Sequence, residues 1–454
     1  MPNDSLKFKI IYVAILFAGV FLLPKISSAA TYYVSPIGSA VWPTCTTADI
    51  PCLADSTTAG KAFLGAGTGD TVYFLSGTYS PGSGANYEYP AWNPTANGGT
   101  FKCLSGTCTL VHTSVSPIFG SYGKSNITWD GFTAVSVAQM SIVRVADADY
   151  CTIQNCDLTG WPNGGSGNNP IIAGNGQTGS CSYLTIRNNK IHGSQGSLNS
   201  DGILFYKVDH ATVENNEIYD NEEGMFDKAE GTYNTYRYNF VHDCGAGFRL
   251  GTETGSNNQH DINVYQNVFL NCGRAAQLYG TVTNGKSYIY FYNNTAYRSS
   301  SGGYGNYAFL HEEAGEADHF EVFDNIAVGN EGGLAARSSD TNTFYDYNDY
   351  YNNTYIGLLN GSGYSTMLNW RNALGGCPGT GRECNSNTDN PNFVNAGGTT
   401  AADYKRTSYP TNGRGGSYSN VMGAYITGNE TIGYTPSISP DTTPPASPIG
   451  VTIS

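Results

Sequence analysis

The sequence predicts an all-β protein, a right-handed parallel β-helix (a solenoid) of about nine to ten coils. It carries an N-terminal cap and ends in a C-terminal linker. Three observations predict this. Glycine (57) and tyrosine (34) are abundant while charged residues make up only 13% of 454, which suits tight turns and strands better than helices. A short apolar motif recurs from about residue 125 with a mean period near 27. An asparagine stands three positions after its centre in six consecutive copies.

The motif centres are Trp129, Ile153, Ile186, Val213, Tyr236, Val264, Phe291, Val322 and Phe344, and the asparagines are Asn189, Asn216, Asn239, Asn267, Asn294 and Asn325. Two residues further on the side chain is again apolar: Ile191, Ile218, Val241, Phe269, Ala296 and Ala327. A repeat this short cannot bury its own apolar face, but stacked coils can, each strand pairing with its equivalent in the next coil. Asparagine tolerates left-handed backbone, and its amide can bond to the amides above and below, so it belongs at a bend. A leucine-rich pattern and propeller signatures are both absent.

Four segments follow. Residues 1–30 read as a secretory signal: Lys7 and Lys9, an apolar run of 14 residues from Ile10 to Leu23, and the small residues Ser28, Ala29 and Ala30 for cleavage. Residues 31–124 read as an N-terminal cap with the first strands, TYYVSPIGSA and GDTVYFLSGTYS among them. Residues 125–430 hold the β-helix and a C-terminal cap. Residues 431–454, rich in Pro, Thr and Ser, read as a linker or tail. Eleven cysteines in an exported chain imply disulfides, and Cys45/Cys52, Cys103/Cys108 and Cys377/Cys384 are spaced to close small loops. The odd total leaves at least one thiol free. The expected location is extracellular or the cell surface, as a monomer, with no membrane span once the signal is removed. A formal charge of −14 argues against nucleic acid as a partner.

A second strand follows each asparagine bend: GILFY (202–206), GMFDK (224–228), GFRLG (247–251), AAQLY (275–279), AFLHE (308–312) and GLAAR (333–337). Strand alternation, with Ile203, Met225, Phe248, Ala276, Ala308 and Leu334 inside, turns Tyr206, Lys228, Arg249, Tyr279, His311 and Arg337 outward. Stacking then makes Lys228 and Arg249 neighbours on adjacent coils, in a basic, partly aromatic strip suited to a polyanionic chain. Alternation points Asp227 inward, so it must be buried and paired, or the strand must slip phase.

The order acid–x4–Lys–x20–Arg at Glu223, Lys228 and Arg249, with TVENN (212–216), NTYRYN (234–239) and FRLG (248–251), resembles the β-helical polysaccharide lyases of the alginate lyase and chondroitinase B type. The resemblance implies a lyase acting on a uronic-acid-containing polysaccharide by calcium-assisted β-elimination, with Lys228 as base and Arg249 as acid. Tyr206, Tyr279, His311 and Arg337 would then bind substrate. It implies a calcium ion on Glu223, with Asn199 or Asp201 supplying the ligand of the preceding coil and Glu222 the second acid. A cation on the uronate carboxylate makes the C5 proton removable, and calcium prefers several oxygen ligands. The family's Glu-x-Glu is not reproduced, since Asn221 stands at its first position, and the turn is about three residues shorter.

NSDG (199–202), NEEG (221–224) and GAGFRLG (245–251) also resemble the polygalacturonase pattern, which would make Asp201, Glu222 and Glu223 the carboxylates of an inverting hydrolase. Ala246 stands where that pattern has histidine. The third reading is a non-catalytic carbohydrate-binding or surface β-helix protein.

Overall fold

A computed structural model describes residues 29–435, apart from 87, 113–115, 137–139, 162–166, 175–178, 195–198, 252–258, 280–285, 298–305, 312–316, 339–341, 378 and 380. The expected signal therefore lies outside the described residues, except for Ala29 and Ala30. The chain is a right-handed parallel β-helix. Each coil contributes three short strands, as in Thr212–Glu214, Glu217–Tyr219 and Glu223–Ala229. Stacked, they form three sheets, here sheet 1 (13 strands), sheet 2 (11) and sheet 3 (11), in the order of those three strands. Among the described residues, pairing within these three sheets is parallel apart from the closing hairpin of Tyr355–Leu359 with Ser362–Tyr364 in sheet 3.

The motif centres stack in one column, Trp129 on Ile153, Ile153 on Ile186, and so on to Val322. The last step needs a correction. Val322 pairs with Tyr345, not Phe344, because Tyr345 is the residue whose ring fills the core, fully buried. With the centre moved by one, Asn348 falls three positions later and joins the asparagine ladder. In that ladder each side-chain amide donates to the Oδ1 of the next, at 3.0 Å from Asn189 to Asn216 and 3.1 Å from Asn325 to Asn348. Each also donates to a backbone carbonyl, for example Asn239 to Val213 at 2.9 Å. The ladder thus pairs buried backbone groups that the bend would otherwise orphan.

Two bends need left-handed residues, and they fill them differently. The bend between sheets 1 and 2 uses mainly short amides and acids, including Asn155, Asn188, Asn215, Gln266, Asn293 and Asp324, with φ between 51° and 57°. The bend between sheets 3 and 1 uses mainly rings, Tyr150, Tyr183, His210, Tyr233, Tyr288 and His319, with φ between 54° and 58°, interrupted by Asp261. A bulky residue in this region costs about 1–3 kcal/mol. Stacking of neighbouring rings returns about 0.5–1.5 kcal/mol per pair, so asparagine would serve the fold at least as well.

The helix Met367–Ala373 closes the C-terminal end, its Trp370 packed so tightly on Gly357 that a Cβ there would lie 2.4 Å from the indole. Residues 387–435 then turn back as a strap over the outer face of sheet 2. There Phe240, Val268, Leu270, Tyr297, Ile326 and Val328 form an apolar cluster with Ala401, Tyr404, Met422, Ala424, Tyr425 and Ile432. The left-handed residues of the first bend pin the strap, coil by coil in reverse order. Arg414 N donates to Asp324 at 2.7 Å, Asn293 donates to Val421 O at 2.6 Å, and Asn215 to Thr431 O at 2.6 Å. Asn188 accepts from Thr435 N at 2.8 Å. Residues 431–435, expected to be linker, belong to this strap: Ile432 is 9% exposed and Gly433 N donates to Tyr238 O at 2.8 Å. The rest of that segment lies outside the described residues.

The three expected disulfides are present: Cys45–Cys52, Cys103–Cys108 and Cys377–Cys384. Cys151, Cys156, Cys181, Cys244 and Cys272 remain thiols, all buried, packed as small apolar groups. No helix among the described residues is long and apolar enough to cross a membrane.

Candidate active site

The strands of sheet 3 carry the predicted residues. Strand Asp201–Tyr206 pairs with Glu223–Ala229, which pairs with Ala246–Leu250 and then Arg274–Leu278. At the start of these strands Asp201 stacks on Glu223. Three residues on, roughly 10 Å along the strand, Leu204, Phe226, Arg249 and Gln277 form an outward column.

Arg249 is therefore in register with Phe226, not with Lys228. Alternation alone gave the right face; register shows that Lys228 stands two residues further along its strand. The two cations still converge. Lys228 Nζ lies 5.4 Å from the Phe226 ring centre and 5.6 Å from that of Tyr206, and Arg249 Cζ lies 4.8 Å from the same Phe226 ring. Arg249 also stacks on Tyr279 at 3.6 Å and pairs with the Glu223 carboxylate. Phe226, buried to 4% exposure, was missed by sequence reasoning because an aromatic in a strand reads as core. The strand also bulges: Phe205 pairs with Asp227, but Tyr206 pairs with Ala229, leaving Lys228 as the extra residue.

Asp227 is buried and paired, as alternation required. It accepts from Asn234 Nδ2 at 2.8 Å, Tyr236 OH at 2.8 Å and Gln259 Nε2 at 3.2 Å. Burial pushes its pKa up to about 6 against the pull of these donors.

The acids occupy the other edge of the site. Asp201 is 1% exposed, and neither carboxyl oxygen has a hydrogen-bond partner among the described residues. Burial first, and then the charge of Glu223, holds its pKa well above the usual carboxylate range. Burial also raises Glu222, although its carboxylate accepts from Ser200 N at 3.2 Å. Arg249 is pushed down by burial, but Glu223 outweighs this and the net shift is upward. Asn199 sits exposed at the preceding bend with φ 63°. Among the described residues no three His, Cys, Asp or Glu side chains converge as a metal cluster; Glu223 is turned toward Arg249.

His311 does not join the outward strip. Ala276 pairs with Phe309 and Leu278 with His311, so Ala308 falls in the column of Ala275 and Gly247, and Phe309 and His311 point inward. His311 is 2% exposed and packs edge-on against Phe320, with ring centres 5.9 Å apart. Strand alternation counted from Ala308 is one residue early there, because Phe309 is the inward residue. Arg337 stays outward, its Nε donating to His311 O at 3.3 Å, on a coil distant from Lys228. Arg274, in the column of Asp201 and Glu223, brings a further guanidinium whose Nη1 donates to Gln277 at 2.5 Å. Strand register, not composition, is what reveals it.

The chain matches the family described as right-handed β-helix region over residues 120–296. None of the curated proteins matches the sequence. Among solved structures, a mannuronan C-5 epimerase A-module of Azotobacter vinelandii is 13% identical with a TM-score of 0.44, covering 70% of this chain and 92% of its own. A pectate lyase is 15% identical with a TM-score of 0.39, covering 88% and 97%. A surface adhesin of Streptococcus pneumoniae is 12% identical with a TM-score of 0.37, covering 66% and 74%. These are likenesses of fold.

Proposed function

We propose that the outer face of sheet 3 binds a uronic-acid-containing polysaccharide and cleaves it by β-elimination. The observation that carries this reading is one amine and one guanidinium on adjacent coils, sharing the Phe226 ring beside a group of acids. The Lys228 amine takes the C5 proton. The C4–O bond breaks as a C4=C5 double bond forms, and the glycosidic oxygen leaves. Arg249, held charged by Glu223, suits stabilisation of the developing negative charge better than proton donation. Lys228 then returns its proton to the leaving oxygen. Tyr206 and Tyr279 flank the two cations and would position sugar rings.

Asp201 and Glu222, with Asn199 at the preceding bend, are the residues that would hold a calcium ion. The orphaned oxygens of Asp201 favour such a ligand. When bound, the ion would neutralise the uronate carboxylate. We propose that the protein works outside the cell, where its disulfides are stable.

Inverting hydrolysis is supported less well. Its carboxyl groups stand about 6.5–9.5 Å apart to admit a water, whereas Asp201 and Glu223 occupy adjacent strands in register, about 4.8 Å apart at the backbone.

The test is incubation with alginate, pectate or dermatan sulfate. A product absorbing in the near ultraviolet, lost in Lys228→Ala, supports elimination. New reducing ends without that absorbance would turn the reading to hydrolysis. Retention on a glycan with no product would make the protein a binding module.

A further inference from the structure

The ring-bearing bend between sheets 3 and 1 is unexplained by the fold. Tyr150, Tyr183 and Tyr233 are 55%, 44% and 49% exposed. Their rings stack with His210 in one rail: Tyr150 on Tyr183, Tyr183 on His210 and His210 on Tyr233, with centres 4.7 Å apart at every step. All four hold a left-handed backbone, which the smaller residues Asn126 and Asp261 adopt at the equivalent points of the coils directly before and after. Large rings kept exposed at a conformation that disfavours them point to a use beyond folding.

The stack decides what that use is. The facing rings cover one another between Tyr150 and Tyr233, so along its length the rail presents edges. The hydroxyls of Tyr150, Tyr183 and Tyr233 have no hydrogen-bond partner among the described residues, and His210 spends Nδ1 on Asp209 at 2.8 Å while its side chain stays 39% exposed. The result is a comb of hydrogen-bonding groups repeating once per coil. It borders the Lys228 end of sheet 3: Tyr233 follows Lys228 in the same coil, and His210 follows Tyr206. The Lys207–Glu230 ion pair at 3.6 Å ties the two coils between them.

We propose that this rail is a glycan track: a hydroxyl-rich polysaccharide chain lies lengthwise along Tyr150, Tyr183, His210 and Tyr233 and is delivered to the Lys228 end of the candidate site. A linear polyol matches a linear comb of hydrogen-bonding groups. The delivery step rests on the lyase reading of sheet 3; the binding step does not.

The test separates the two. The rings are removed as Tyr150→Asn, Tyr183→Asn and Tyr233→Asn, singly and together, because asparagine suits the left-handed backbone. Retention in gels containing alginate, polygalacturonate or dermatan sulfate is measured by affinity electrophoresis, and binding of the matching trisaccharide by calorimetry. The triple variant is expected to weaken polymer binding by about tenfold, the scale of one net hydrogen bond lost, with trisaccharide affinity unchanged. Lys228→Ala should abolish turnover but not retention, so a failed lyase reading leaves retention intact. Polymer retention unchanged in the triple variant overturns the proposal, as does wild-type protein retained by none of the three polymers. Should the triple variant unfold, Tyr150→Asn decides: at the exposed end of the stack, it must weaken retention without lowering the melting temperature.

Discussion

Asp227 lies inside the solenoid directly beneath the bulge that presents Lys228, and its titration can be read as stability. Burial raises its pKa from 3.8 to about 6. The folded state therefore binds its proton more tightly than the unfolded chain. The contribution is fully present below pH 3.8, declines as pH rises through the window to about 6, and is absent above it. At 1.36 kcal/mol per pKa unit the whole window is worth about 3 kcal/mol, and the part above pH 4.5 amounts to about 2 kcal/mol. Asp227→Asn removes this titration while keeping the shape of the side chain. Urea unfolding of both proteins at pH 4.5, 6 and 7.5 should show wild type losing about 2 kcal/mol more than the variant across the range. Other buried carboxyls shift in the same direction, Asp324, Asp349 and Glu383 each to about 7, so the difference between the two proteins is the quantity to follow. Two parallel curves would mean that Asp227 ionises in the fold as it does in water, and the account of the buried network would fail.

Asn239→Ala should cost about 3–5 kcal/mol in urea unfolding, because it orphans the buried Asn216 N–H and Val213 carbonyl; a loss under 1 kcal/mol would show the ladder to be ornamental. Arg249→Ala should destabilise by about 2–3 kcal/mol, below a fully buried pair because its side chain keeps 17% exposure. Arg249→Lys should recover only part of this, since an amine cannot stack on Tyr279 as a guanidinium does. Calcium should raise the melting temperature of the wild type and not that of Asp201→Asn, read by calorimetry with and without chelator. Truncation after residue 386 should uncover Phe240, Val268, Leu270 and Ile326 and produce dye-binding, aggregating protein.

The solenoid was legible because its signal is periodic: one buried residue per coil and one asparagine three positions on. What escaped is what periodicity does not carry. The strap was hidden in an aperiodic stretch, although VFL at 268–270 and IAV at 326–328 held the clue, since strands apolar at consecutive positions are covered on both faces. Alternation set Lys228 and Arg249 on one face, and the repeat set Asp201 and Glu223 at matching points of successive coils. Phe226 and Arg274 needed register, and His311 was misplaced because a shift of one residue exchanges inside for outside.

The strap has a mechanical consequence. A stack of coils joined only to nearest neighbours can fray from its free end, shedding one turn at a time. Here the chain doubles back and fastens rungs from Asp324 to Asn188 with a single cord. No rung in that span can peel away until the cord itself is lifted, so this part of the rod should melt in one concerted event.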